Sequence, residues 1–466
     1  MVASENPQKL RIAIAYATFR LHPDDPCSLF ERSGSGFGGL LLAIFLQKYC
    51  PDHEIDIYEA AHEFGEIGAG VAMWPRVWQV LRYIGLEDQL LEATGTLNKE
   101  GAHLRQLQRR FIRILPLHRV SRCTYAITRV TRKALLFAFH RSQLHKVLVD
   151  NVKDKDKVVH FSKRLVSYSE PAFIDEPITL TFKDGTTATC DLLLGSDGIR
   201  SAVRHTMYTG LANEAEGVRA EELREMIDPV WSGMVVYRGL VPAGQVQNTK
   251  LDLGHVAIIS LMSYAVSRGE FINVAAFVGI PDGEGKSYEG PWSAPVTQEE
   301  VAAQYATWDS DNIEKPSVWA VNTVRYLPTY VKGRVALLGD AAHAMTPNQG
   351  SGAGQAIEDG FILATILSQP GVSRATLPEA LEIYDALRRP VSQGVHRRSR
   401  QTGHIVSLES AGWENVSAAE SARGGFPKDM FDRVGAEIEK EMAWVGASSV
   451  MDDRARACEM VRERLV

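Results

Sequence analysis

"RIAIAYATFRLHPDDPCSLFERSGSGFGG", residues 11–39, is the stretch on which the fold turns. Arg11 to Ala15 alternates like the end of a buried strand. Gly34-Ser35-Gly36-Phe37-Gly38-Gly39 carries Gly34, Gly36 and Gly39 at the spacing of a glycine turn that opens a helix and lets backbone approach a phosphate. In a dinucleotide fold such a strand runs straight into such a turn. Here 18 residues, Tyr16 to Ser33, stand between them.

Beyond the turn the pattern is regular. An apolar helix is expected from Gly39 to about Tyr49, followed by "HEIDIYEA", a strand that ends on Glu59, 20 residues after Gly39. An acid at that distance meets the ribose hydroxyls of a bound adenine dinucleotide. The other reading of the glycines is a turn used only for close helix–sheet packing.

Composition narrows the classes. At 466 residues the chain exceeds one small core, and 45% hydrophobic with 23% charged residues is ordinary for a globular protein. A net charge of -6 argues against a nucleic-acid partner. Five scattered cysteines with no C-x-x-C pair predict free thiols in a reducing compartment and no metal site. The apolar run Leu40 to Leu46 is too short to span a bilayer, so no transmembrane segment and a cytoplasmic location are expected.

Further along, Val158 to Phe182 reads as strands, with a turn at Asp184-Gly185. "CDLLLGSDGIRSAVR" reads as a buried strand, a turn and a helix start. Residues 230–330 are sheet-rich, Arg334 to Leu338 is a last strand, and helices run from about Gly354 to Val395 and from Lys428 onward. The first and last strands of one sheet are therefore far apart in the chain.

Three separated motifs, the glycine turn with Glu59, "GSDGIRSAVR" and "GDAAHAMTP", together resemble the FAD-dependent aromatic hydroxylases, the single-component flavoprotein monooxygenases, and within them the fungal salicylate-hydroxylase-like group. The resemblance implies an α/β fold: a split Rossmann-like FAD-binding domain, an inserted α+β substrate domain on a mainly antiparallel sheet, and a helical C-terminus. The implied division is 10–100, 136–215 and 331–395 for the FAD-binding domain, 101–135 and 216–330 for the substrate domain, and 396–466 for the helical region.

The resemblance also assigns residues. Asp340, at a strand end, takes the ribityl hydroxyls, or else caps a helix. Gly350, Gly352, Ala353 and Gly354 let backbone approach the flavin, with the following helix aiming its positive end at the ring. Pro347 walls the space where substrate meets flavin. Gly68, Gly70 and Ala72 form the flavin-side loop, where Arg76 replaces the usual asparagine. Arg141 in "HRSQLHKVL" contacts the flavin, or is an ordinary helix arginine. Asp197 and Arg200 belong to a motif that touches FAD and the reductant. Arg204 and Tyr237 hold a substrate phenolate, as matching residues do in dearomatising relatives; ion pairing and core packing are their alternatives. His343 is read as a packing or hydrogen-bonding residue.

The implied reaction takes hydride from NADH or NADPH and passes through a flavin C4a-hydroperoxide. It hydroxylates a small phenolic or aromatic-acid substrate with O2, with decarboxylation or dearomatisation where the attacked carbon is substituted. Partners are then those small molecules, with no nucleic acid, and the chain is a monomer or homodimer. A flavin oxidoreductase without oxygen insertion is the alternative.

Two departures qualify the resemblance. Joining Ala15 to Gly34 restores an unbroken strand–turn–helix, so Tyr16 to Ser33 reads as a retained intron or an evolved loop, and a form that binds no flavin is the third reading. From Gly101 to His140 there is no Asp or Glu among many arginines, which reads as a basic entry surface or as non-native sequence.

Overall fold

The computed structural model describes residues 9–16, 36–64, 70–94, 137–242, 261–266, 271–304, 314–407 and 430–466. Gly34, Gly68, the inserted residues after Tyr16 and the basic stretch up to 136 lie outside them. In chain order the strands are β1 (Arg11–Tyr16), β2 (Glu54–Glu59), β3 (Gly70–Met73), β4 (Phe137–His140), β5 (Val159–His160), β6 (Leu165–Ser169), β7 (Ile178–Phe182) and β8 (Thr187–Cys190). There follow β9 (Leu192–Ser196), β10 (Val230–Pro242), β11 (Leu261–Val266), β12 (Phe271–Glu284), β13 (Ser293–Pro295), β14 (Glu314–Thr323), β15 (Val331–Lys332) and β16 (Val335–Leu337).

The first sheet has the order β15-β16-β9-β1-β2-β5. Despite the interruption, β1 holds its central place, pairing in parallel with β2 on one side and β9 on the other. Such a strand is covered on both faces, which is why Ile12 to Tyr16 is buried without alternation. Helix α1 (Phe37–Tyr49) makes the crossover from β1 to β2, whereas β9 arrives from much later in the chain. The strand order therefore reverses at β1, and the crevice at its carboxyl end is the place where such sheets bind ligands.

The second sheet, β11-β12-β10-β14-β13, is antiparallel throughout. Its long strand β10 has two differently packed faces. Trp231, Val235, Tyr237 and Val241 pack with Val301 under the short helix Gln298–Gln304, while Met234 and Val236 pack with Phe277 and Val321 on the other face. The β3–β4 ribbon packs on β11. A small sheet, β6-β7-β8, lies beside the first.

Four further helices complete the frame: α2 (Pro75–Ile84), α3 (Arg141–Asn151), α4 (Ala202–Glu214) and α5 (Gly352–Leu367). Helix α5 packs along α1 so closely that a Cβ on Gly38 would stand 3.0 Å from the Ala356 Cβ. The C-terminal helices α6 (Leu377–Val406), α7 (Met430–Met442) and α8 (Val450–Leu465) wrap this layer. Arg76 ties them to it. Its guanidinium is buried, donates to both Glu358 oxygens (2.9 and 3.0 Å), to Ser448 Oγ at 2.6 Å and to Asp453. The arginine that departs from the resembled pattern is thus an anchor for the C-terminal region. No helix among the described residues is long and apolar enough to cross a membrane, and no cluster of metal-ligating side chains occurs among them. Cys50 and Cys190 are buried free thiols and Cys458 is a half-buried one.

Candidate active site

Parallel register puts Glu59 opposite Tyr16 at the carboxyl end of the sheet. The Glu59 side chain is fully buried and accepts the Ala61 N–H at 2.7 Å, which orients it in the crevice. Gly36 is the N-cap of α1, so the helix start faces the same crevice. Gly39 lies against β1, where a Cβ would meet the Tyr16 ring at 2.5 Å.

On the other side of the crevice, β4 runs directly into α3, so that Arg141 is the first helical residue. Gly70 pairs with His140 and Ala72 with Ala138, which brings Gly70 beside Arg141. The Arg141 guanidinium lies over the Phe37 ring, 5.2 Å from its centroid. Burial pushes its pKa down, while the Asp340 charge opposes that shift. Asp340 opens a short helix, Asp340–His343, after Gly339 at φ 60°, so Gly339 and not Asp340 is the cap. Behind it, His343 Nε2 and Asp359 Oδ2 are 2.6 Å apart, and the same oxygen accepts the Gly339 N–H at 3.0 Å.

The loop before α5 is held from the C-terminal side. Pro347 starts a 3-10 turn that ends on Gly350, whose φ of 62° suits glycine. Within the turn, Gln349 takes Trp74 Nε1–H on its carbonyl at 2.9 Å and Trp444 Nε1–H on its side chain at 3.0 Å. Gly352 and Ala353 begin α5 half-buried, and a Cβ on Gly352 would meet nothing nearer than 3.9 Å. Gly354 differs: its Cβ would lie 2.7 Å from Val77 Cγ2, so its bareness allows close packing on α2.

Asp197 closes the crevice beyond β9. Its Oδ2 accepts the Ala202 and Val203 N–H groups at 2.7 and 3.1 Å, capping α4. Its Oδ1 is buried with no hydrogen-bond partner, and burial raises its pKa. A cavity of about 580 Å³ opens here, lined by Tyr16, Tyr58, Arg164, Asp197, Arg200 and Trp292. The Arg200 guanidinium sits 4.0 Å from the Trp292 ring centroid.

Two expected substrate residues have other surroundings. Arg204 is 1% exposed and gives its Nε to the Ile227 carbonyl at 3.1 Å, Nη1 to that of Ala341 at 2.8 Å and Nη2 to that of Ile199. Those bonds tie the α4 start to the Asp340 turn, and burial lowers its pKa to about 10. Tyr237 lies on the far face of β10 with Trp231 and Val301, where burial and the Glu300 charge raise its pKa. The strand's two-residue period sends the next side chain the other way. Arg238 shares the electrostatic surroundings of Arg141 and lies over Trp319, 5.6 Å from its centroid. Arg238 is a candidate that sequence reasoning passed over. Its signal was available in "VVYRGLVP", where one of two adjacent polar residues must face inward, but which one depends on the face the sheet presents.

A family profile described as FAD binding domain matches residues 33–399, beginning just before the glycine turn. A "FAD-dependent monooxygenase str9" from Strobilurus tenacellus is 32% identical over 93% of this chain and 97% of its own length. A "Salicylate hydroxylase" from Pseudomonas putida is 30% identical over 80% of this chain and 84% of its own. Among solved structures, one titled "Salicylate hydroxylase substrate complex" covers 96% of this chain and 98% of its own, with a TM-score of 0.67 at 24% identity, a likeness of fold.

Proposed function

This chain belongs to the FAD binding domain family, and from that premise we propose that it is an FAD-dependent monooxygenase that hydroxylates a phenolic aromatic acid at the expense of NAD(P)H and O2. The residues present fit most of the dinucleotide. Glu59 is a buried acid at the end of the second strand, Asp197 Oδ1 is a buried acceptor with no partner, and Arg141 lies beside Asp340 across the crevice. Glu59 would hold the ribose, Asp340 the ribityl chain, and Gly352 with Ala353 the edge of the flavin ring under the α5 N-terminus.

When bound, the flavin would supply reduction of O2 and delivery of one oxygen atom: ring C–H becomes C–OH, the second atom leaves as water with the hydride of NAD(P)H and one proton from solvent, and NAD(P)H ends as NAD(P)+. The protein orients and excludes. Arg238, on the inward face of β10, pairs with the substrate's carboxylate or phenolate and favours the ionised phenol, the form most easily attacked by an electrophilic oxygen. Pro347 walls the same space. Arg164 and Arg200, with Trp292, offer charge for a pyrophosphate and a face for stacking where the reductant visits.

The observation that carries this reading is that the buried Arg141, the first residue of α3, feels the charges of Asp340 and Arg238 from two distant stretches of the chain. Arg238→Ala in the FAD-loaded enzyme should lower kcat/KM for a salicylate-type acid by about 30-fold or more, with NAD(P)H oxidation persisting. A KM and coupling ratio unchanged in that variant would remove Arg238 from the substrate site. Oxygen uptake without a hydroxylated product from any phenolic acid would overturn the reaction itself.

A further inference from the structure

The chain puts a large side chain where the dinucleotide must pass. Tyr16 is the last residue of the central strand, at the point where strand order reverses. Its ring is 2% exposed, packed on Gly39 and edge-on to Phe64 with centroids 6.3 Å apart. Its hydroxyl is buried and has no hydrogen-bond partner. Glu59 is the register partner of Tyr16 on the neighbouring strand, the ring stands over Gly39 at the start of α1, and the charges that act on the hydroxyl are those of Glu59 and Arg141. A dinucleotide with its ribose on Glu59 and its flavin end at Arg141 has to cross the space between them. A buried phenol with an unsatisfied hydroxyl is a poor permanent occupant of such a crevice.

We propose that Tyr16 is a steric gate on FAD binding: its ring fills the crevice between Glu59 and Arg141 in the apo form and turns out of it when the dinucleotide enters. The inference rests on the FAD reading above. It makes the affinity of this chain for FAD depend on the displacement of one ring, which is a property of this sequence and not of the glycine turn.

The test compares apo forms of the parent chain, Tyr16→Ala, Tyr16→Val and Tyr16→Phe by two readouts, quenching of FAD fluorescence on titration and melting temperature without FAD. Tyr16→Val puts a strand-favouring β-branched residue there should Tyr16→Ala fail to fold. The gate predicts opposite signs: the small variants melt lower without FAD, because the ring's packing on Gly39 and Phe64 is gone, yet bind FAD about tenfold tighter or more. Tyr16→Phe should bind within about threefold of the parent, since it keeps the ring. Small variants that melt lower and bind FAD no tighter would give Tyr16 a packing role only and overturn the gate. Weaker binding by Tyr16→Phe would also overturn it, by making the hydroxyl a ligand. Flavin bound by none of the four chains would instead refute the FAD reading, and the gate with it.

Discussion

Replacing Arg76 by asparagine, the residue that the resembled pattern carries, should loosen the C-terminal helices without disturbing the sheet. Arg76 is 4% exposed and Glu358 is fully buried, with the guanidinium on both carboxylate oxygens. Asparagine is too short to reach either Glu358 or Asp453. Removing one partner of a buried pair costs about 3–5 kcal/mol. Glu358 keeps Arg388 Nη1 at 2.9 Å, so the lower end applies here. The Asp453 side chain is 28% exposed and adds at most about 1 kcal/mol. The loss, about 3 kcal/mol, corresponds to roughly a 100-fold larger open population.

Asp453 and Ser448 sit at the start of the last helix, so the opening should begin there. Amide hydrogen exchange followed by mass spectrometry reads it directly. In Arg76→Asn, protection across Val450–Leu465 should fall by about two orders of magnitude while that of β1 and β9 stays. Because Gln349 is also held from Trp444, flavin affinity should weaken in the same variant. Exchange in the last helix within threefold of the parent would refute the reasoning, and would mean that Arg388 alone satisfies Glu358.

Other expectations follow from the same structure. Burial raises the Asp359 pKa, but the charges of His343 and Arg388 outweigh it and hold the carboxyl at about 2. Its folded value lies below its unfolded one, so its stabilisation is present above about pH 4 and is lost as pH falls toward about 2; Asp359→Asn should be less stable at neutral pH and flatten that acid limb in urea titrations at stepped pH. Arg204→Lys strands at least one of the carbonyls of Ile199, Ile227 and Ala341 and should cost about 2–3 kcal/mol by urea unfolding; unchanged stability with a tenfold higher KM for the phenolic acid would return Arg204 to the substrate role. Tyr237→Phe should leave KM within about twofold, because the hydroxyl lies on the face away from Arg141; a larger rise in steady-state kinetics would contradict that placement.

The local patterns were legible because each rests on a short-range cause. The glycine turn and the strand ending on Glu59 follow from hydrophobic period and backbone freedom, and α1 and β2 begin and end within three residues of the expected places. The interrupted first strand was legible as an interruption. That β1 nevertheless sits in the centre of its sheet was not, since pairing with β2 and β9 depends on burial over the whole chain.

What sequence alone determined about this protein is the kind of fold, the cofactor class and the list of residue types that such a site requires. Tertiary structure decided which of them face the site. Arg204 and Tyr237 had the right chemistry at plausible places, but the three carbonyls around Arg204 come from separate turns, and the two faces of β10 are distinguished only by what packs on each. Arg238 and Tyr16 belong to the crevice for the same reason. A side chain's direction on a strand alternates by local geometry, while the identity of the inward face is fixed by contacts with residues far along the chain.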